Sequence, residues 1–232
     1  DQIIPYNETQ QDSDAIKDFL VEQGFKTVLQ RLENNTFIFK KKENAQQFKK
    51  KEVKYYTISK IEELKKILQK ISEFGICAID TETDSLNIDK VNLVGVSLCY
   101  DDNKAFYIPI SHKELVTKNL CKDQIKLDDL INHISIICAD PAIIKIGQNI
   151  KYDLRVLQKY NVEFNSIADT MLMSYALENG ITRHNMDDLA FKHLNHTTTK
   201  FKDLVGSGKK EITFDYVSIE NATNYAAEDA YI

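Results

Sequence analysis

Three short acidic clusters mark this chain of 232 residues: Asp80-Thr81-Glu82, Asn149-Ile150-Lys151-Tyr152-Asp153 and Tyr225-Ala226-Ala227-Glu228-Asp229. Asp80 and Glu82 stand two apart, so on a strand both side chains leave one face. Asn149 and Asp153 stand four apart, as do Tyr225 and Asp229, which stacks each pair on one face of a helix. Carboxylates gathered at one point repel one another and resist desolvation. Divalent cations make such a gathering stable, and oxygen ligands of this kind suit Mg²⁺ or Mn²⁺. The chemistry implied is phosphodiester hydrolysis. Two metal ions about 3.5–4 Å apart can supply the hydroxide, stabilise the pentacoordinate phosphate and neutralise the leaving oxygen. Asp80, at a strand end, is the candidate to bridge both ions.

Each cluster alone has a plainer reading. Asp80-Thr81-Glu82 also reads as a polar strand-to-turn transition, because Asp84, Ser85 and Asn87 follow. Asn149 also reads as a helix N-cap. Tyr225 also reads as a core tyrosine beside a surface acid. The information lies in the set of three and in its order.

Positioning these residues requires a sheet with helices around it. Tyr55–Ser59 reads as a short strand. Lys60–Phe74 has Ile61, Leu64, Ile67, Leu68 and Ile71 at helical spacing, and Gly75 ends it. Ile76–Asp80 reads as an apolar strand. Leu93–Tyr100 and Ala105–Ile110 read as two more, joined by the turn-like Asp101-Asp102-Asn103. The pattern predicts three antiparallel strands. A helix is expected over 128–137, a buried strand over 143–146 and a tight turn at Gly147. Further helices are expected over 152–160, 168–177, 186–194 and 218–232. The placement of the second cluster after that strand and turn delivers it to the carboxyl edge of the sheet, where sites in α/β folds lie. The expected class is α/β, with a mixed sheet flanked by helices.

Ahead of this domain, residues 14–34 carry apolar positions at helical spacing, broken near Gly24. Residues 40–54 hold seven lysines and read as a solvated linker. The domain division expected is therefore 1–54 and 55–232. At 43% hydrophobic content the chain can build a sizeable core. It has no run of 18 apolar residues to span a membrane and no secretory signal at Asp1-Gln2-Ile3-Ile4-Pro5. Without an initiator Met, and with its last residues inside an expected helix, it reads as cut from something longer at both ends. Cys77, Cys99, Cys121 and Cys138 are scattered and mostly in apolar segments, which suits reduced thiols in a cytosolic protein. A net charge of −5 argues against an extended duplex-binding face but leaves room for a small strand-end site.

With these residues in view, the chain from about Tyr55 to Ile232 resembles the proofreading 3′–5′ exonuclease domain of bacterial family A DNA polymerases. The resemblance runs through 78–86 (AIDTETDSL), 145–153 (KIGQNIKYD), 183–187 (RHNMD) and 225–230 (YAAEDA). It extends to the wider DEDDy class, whose mark is the tyrosine four before the last aspartate, and implies a ribonuclease-H-like fold. In the sister class a histidine stands five before that aspartate, where this chain has Asn224. The resemblance implies that Asp80, Glu82 and Asp229 hold one divalent ion, that Asp80 and Asp153 serve a second, and that Tyr225 orients the nucleophilic water. It implies that Leu86 wedges against the terminal bases and Phe201 stacks on one. Gln148, Asn149, Lys151, Tyr152 and Arg183 would contact the sugar and phosphates. For Leu86 and Phe201 the plainer reading is core packing, and for Arg183 a surface ion pair. The expected substrate is the 3′ end of single-stranded or frayed DNA. The expected neighbours are a preceding 5′-nuclease domain, whose end Asp14–Asn34 resembles, and a following polymerase domain. A monomer, cytoplasmic at the bacterial nucleoid, is expected.

Other motifs do not hold. Gly206-Ser207-Gly208-Lys209-Lys210 fails as a P-loop, because Asp203 stands at the first glycine position and Lys210 replaces the Ser/Thr. It reads as a flexible loop. His193 and His196 lack a third ligand for zinc, and Asp169 reads as a helix cap. Two rival functions remain: a ribonuclease D-like exonuclease acting on RNA, and a catalytically silent module that binds strand ends or scaffolds a polymerase.

Overall fold

The computed structural model describes residues 13–26, 28, 29, 53–178 and 183–232. The chain divides into two units, residues 1–47 and 48–232. In the first, helix α1 (Ser13–Glu22) buries Leu20. Gly24 follows with φ 70°, in the left-handed region, and marks the expected break. The helical spacing beyond residue 29 and the lysine run up to residue 52 lie outside the described residues.

The second unit is a six-stranded sheet in the order β1-β4-β3-β2-β5-β6. Its strands are β1 (Lys54–Thr57), β2 (Ile76–Thr83), β3 (Leu93–Asp101), β4 (Lys104–Pro109), β5 (Ile144–Gly147) and β6 (Ile167–Asp169). β2, β3 and β4 form the expected antiparallel run. β1, β5 and β6 add parallel strands at its two sides. The helices are α2 (Ile61–Phe74), α3 (Leu127–Ala139), α4 (Lys151–Gln158), α5 (Thr170–Leu177), α6 (Met186–Leu189), α7 (Phe201–Val205) and α8 (Ile219–Tyr231).

Alternation along the strands separates two faces. Cys77 and Ile79 of β2, Val96 and Leu98 of β3 and Phe106 and Ile108 of β4 join the larger core. α2 adds Leu64, Ile67, Leu68 and Ile71 to it, and α3 adds Leu130 and Ile134. The other face takes α8. That helix buries Ala222, Thr223, Ala226, Ala227 and Ala230, and side chains this small let its backbone lie close to the strands. Thr223 also meets Thr57 of β1, hydroxyl to hydroxyl at 2.6 Å. The even-numbered residues of β2 face α8, and that is where Asp80 and Glu82 stand.

Three local expectations change. Residues 168–177 are not one helix. Ile167–Asp169 pairs with β5 as a sixth strand, and α5 starts at Thr170 on an Asp169 cap that accepts from Met171 and Leu172. Asn149 does not share a helix with Asp153: it has φ 57°, and α4 begins only at Lys151. The stretch 186–194 is α-helical only to Leu189 and continues as a π-helical segment over Ala190–Leu194. The loop at 206–210 contains a 3₁₀ turn over Gly208–Lys210.

Candidate metal centre

β2 and α8 bring the first and third acidic clusters together. Asp80, Glu82 and Asp229 each present a carboxylate oxygen, and the three atoms lie within 4.8 Å of one another. Asp153 arrives from the other side of the sheet. Between the two acids of β2, Thr81 points the opposite way and meets α4. Its backbone N–H donates to Asp153 Oδ1 at 2.9 Å and its hydroxyl donates to the same oxygen at 2.5 Å. Asp153 is 2% exposed and Glu82 7%.

Among the described residues no lysine, arginine or histidine forms an ion pair with any of these four acids. The electrostatic consequence is severe. Burial, with Asp153, Glu82 and Asp229 adding to it, holds Asp80 well above the usual carboxylate range. Burial and the charges of Asp229 and Asp153 do the same to Glu82. Burial pushes Asp153 up to about 6 despite the two bonds from Thr81. It pushes Asp229 up to about 7, partly offset by the Tyr225 phenol. Across the strand register from Asp80, Ser97 is fully buried with a hydroxyl that has no partner among the described residues. A divalent cation fits this arrangement: it supplies the missing positive charge to an all-oxygen donor set.

Tyr225 lies one helical turn before Asp229. Burial and the charges of Asp229 and Glu82 push its phenol upward. Phe201, 45% exposed, meets it edge-on at 6.0 Å and stacks on Phe214 at 6.1 Å, with 9° between planes. Leu86 is 88% exposed, on the turn after β2. The Tyr152 hydroxyl ties that turn down through the Thr83 hydroxyl at 2.7 Å and the Ser85 carbonyl at 2.9 Å. Lys151 and Arg183 are exposed.

Gln148, through its side chain, and Asn149, through its backbone N–H, make hydrogen bonds within the fold. Gln148 donates to the His184 carbonyl at 2.7 Å and accepts from Thr170 at 2.5 Å, joining the end of β5 to the segment that holds Arg183. The backbone N–H groups of Asn149 and Ile150 donate to the Asp169 carboxylate at 3.1 Å each. Asp169 thus caps α5 and also holds the left-handed turn into α4. His196 pairs at 2.8 Å with Glu228, the residue before Asp229. A cavity of 460 Å³ opens beside Asp80 and Asp229, walled by Met173, Leu177, Met186, Leu189 and Leu194 among others.

Residues 55–232 match the family model described as 3′-5′ exonuclease. The chain belongs to the 3′–5′ exonuclease family. Within it, this exonuclease domain is of the DNA polymerase I type. It is 40% identical over 189 residues to DNA polymerase I of Rhizobium leguminosarum, covering 76% of this chain and 19% of that protein. It is 39% identical over 166 residues to DNA polymerase I of Pseudomonas aeruginosa, covering 70% and 18%. The chain thus spans about a fifth of the length of these relatives. Among solved structures, Escherichia coli RNase D superposes with a TM-score of 0.57 at 17% identity, covering 77% of this chain and 42% of that one. Brucella melitensis NrnC superposes with 0.54 at 20% identity, covering 78% and 75%. These likenesses bear on the fold, which is ribonuclease-H-like as expected. No helix among the described residues is long and apolar enough to cross a membrane.

Sequence reasoning assigns no role to Thr81 within its motif and only one helix to Asp169 as a cap, whereas Thr81 holds Asp153 and Asp169 also holds the turn into α4. Phe214, in a 3₁₀ turn, has no hydrophobic period to mark it.

Proposed function

We propose that residues 55–232 remove nucleotides from the 3′ end of single-stranded or frayed DNA, by divalent-metal hydrolysis of the terminal phosphodiester, releasing nucleoside monophosphates. The observation that carries this reading is the convergence of Asp80, Glu82 and Asp229 within 4.8 Å, half-buried to buried and with no cationic partner among the described residues. Asp80, Glu82 and Asp229 would hold one Mg²⁺ or Mn²⁺ ion, and Asp80 and Asp153 would serve a second. Bound together, the ions supply Lewis acidity and charge neutralisation at the scissile phosphate. Brucella melitensis NrnC, of the same fold, has been solved with bound Mg²⁺.

The remaining roles belong to the chain. Burial among carboxylates keeps the Tyr225 proton on Oη, so the phenol orients the attacking water by hydrogen bonding rather than acting as a base. Phe201 offers an exposed ring edge-on to Tyr225, suited to stacking on a terminal base, and Leu86 projects from the anchored turn to wedge the next one. Such stacking tolerates any sequence. Lys151 and Arg183 supply exposed cations for phosphates, while Tyr152, Asn149 and Gln148 shape the backbone that presents them. The parent is a DNA polymerase I whose polymerase and 5′-nuclease domains flank this one. The domain acts as a monomer in the bacterial cytoplasm.

Replacing Asp80→Ala tests the proposal. Mn²⁺-dependent shortening of a 5′-labelled oligonucleotide should disappear, and EDTA should have the same effect on the wild type. Undiminished activity in either case overturns it. The likeness to RNase D gives the RNA reading its footing, and rates on matched DNA and RNA oligonucleotides separate the two. The intact acid set argues against a silent binding module.

A further inference from the structure

The helix that carries Tyr225 and Asp229 must be held at a fixed distance from the strand that carries Asp80 and Glu82. Ångström-scale misplacement of reacting groups costs about 10²-fold in rate. The contacts that set this distance lie beneath the site, not in it.

Asp80, Ser97 and Tyr107 form one rung across β2, β3 and β4. Gly95, opposite Glu82 on β3, leaves room for the Tyr107 ring: a Cβ there would lie 2.2 Å from the Tyr107 hydroxyl. Tyr107 is fully buried and its hydroxyl lies 2.7 Å from His112 Nε2. The other ring nitrogen, Nδ1, lies 2.9 Å from the carbonyl of Val217. A carbonyl only accepts, so Nδ1 carries the proton. Nε2 then accepts from Tyr107. Burial lowers the His112 pKa to about 4, in keeping with this neutral tautomer. The backbone of His112 is anchored as well: its N–H donates to the Gln124 side-chain oxygen at 2.6 Å, and its carbonyl accepts from the Gln124 side-chain nitrogen at 3.0 Å.

Val217 immediately precedes Ser218, the N-cap of α8. The Nδ1 bond therefore grips the root of the helix that presents Tyr225 two turns on. A second line runs through rings. His112 lies 5.8 Å from Phe214, and Phe214 lies 6.0 Å from Tyr225 and stacks on Phe201. One imidazole thus touches the strand side through Tyr107, the helix root through Val217 and the aromatic wall through Phe214. It is not among the residues assigned to metal or substrate.

We propose that His112 is a positioning residue for the exonuclease reaction, joining the sheet that carries Asp80 and Glu82 to the helix that carries Tyr225 and Asp229. This rests on the hydrolytic reading of the same acids. Three variants separate its contacts. His112→Asn keeps an amide N–H near the Nδ1 position and so the grip on Val217. His112→Gln reaches toward Tyr107 but gives up that grip. Tyr107→Phe removes the donor to Nε2.

Kinetics are run well below the melting temperature of each variant, with circular dichroism confirming the fold. His112→Gln should lower kcat about 10–100-fold with KM within about twofold, and should weaken Mn²⁺ binding measured by calorimetry. His112→Asn should recover most of both, and Tyr107→Phe should fall between. Nitrogen-15 spectra of the wild type without metal should show His112 protonated on Nδ1 at pH 7. A folded His112→Gln protein with wild-type kcat and Mn²⁺ affinity overturns the positioning role while leaving hydrolysis standing. Equal losses in the Asn and Gln variants, or an Nε2-protonated ring, overturn it too. A wild-type protein inert toward oligonucleotides under every metal condition removes the hydrolytic reading and this role with it.

Discussion

Thr81 gives both its backbone N–H and its hydroxyl to a single oxygen of Asp153, at 2.9 and 2.5 Å. The residue between two acids of one strand thereby fixes a third acid from a helix on the opposite face. Thr81→Val keeps the shape and the backbone bond but removes the hydroxyl donor. Hydrogen bonds to charged groups contribute about 1.5–3 kcal/mol, and losing a group that orients a metal ligand costs about 10–100-fold. A fall in kcat of that size is expected, with Thr81→Ser retaining most of the activity. Steady-state kinetics on a labelled oligonucleotide decides the matter; unaltered kcat in Thr81→Val means Asp153 needs no such support.

The crowded acids give the metal-free domain an unusual response to pH. Asp153 is raised to about 6 and Asp229 to about 7, against about 3.9 for an unfolded aspartate. Between those limits the folded chain keeps protons that the unfolded chain has released. Stability therefore falls as pH rises from about 4 through about 7, and Asp80 and Glu82, also held well above the usual range, extend the fall. In EDTA the protein should melt at a higher temperature at pH 5 than at pH 8. Adding Mn²⁺ at pH 8 should restore the difference, because the cation binds the native arrangement and not the unfolded chain. A melting temperature that climbs steadily from pH 5 to pH 8 in EDTA would show that the acids do not crowd one another.

Tyr225→Phe isolates the phenol. The ring contacts with Phe201 and Phe214 survive this change, so the fold and the strand-end surface should persist. Turnover should fall about 10–100-fold, at the lower end of what positioned proton-handling groups contribute, while the dissociation constant for a single strand stays the same. Loss confined to affinity, measured by fluorescence anisotropy in Ca²⁺, would contradict a water-orienting role.

Phe201→Ala should do the reverse. Stacking on a base contributes about 1–3 kcal/mol, so KM should rise about 5–150-fold with kcat nearly unchanged. The stack on Phe214 makes some loss of thermal stability expected as well, and a melt measured alongside separates it from binding. Unchanged KM would mean that the exposed face of this ring meets nothing in the substrate.

The convergence of Asp80, Glu82 and Asp229 is legible in the sequence. The two-residue spacing of Asp80 and Glu82 and the four-residue spacing of Tyr225 and Asp229 are properties of a strand and a helix, and both elements formed. Asn149 was not readable. Its left-handed backbone is held by the Asp169 carboxylate, twenty residues further on, and no local spacing encodes that bond. The strand Ile167–Asp169 was hidden for a related reason. Three residues have no measurable period, and they run directly into α5, whose apolar pattern absorbed them. Phe214 is not legible in the sequence because it lies in a 3₁₀ turn over Phe214–Tyr216, where burial comes from tertiary packing with residues such as Val94, Tyr107 and Val205.

The account stands on cation binding by acids from distant parts of the chain. The direct measurement is anomalous diffraction from crystals soaked in Mn²⁺ and a nucleoside monophosphate. It should show one ion held by Asp80, Glu82 and Asp229 and a second beside Asp80 and Asp153, with the phosphate between Tyr225 and the ions. Carboxylates that stay without metal at saturating Mn²⁺, or ions bound only on the surface, would contradict it.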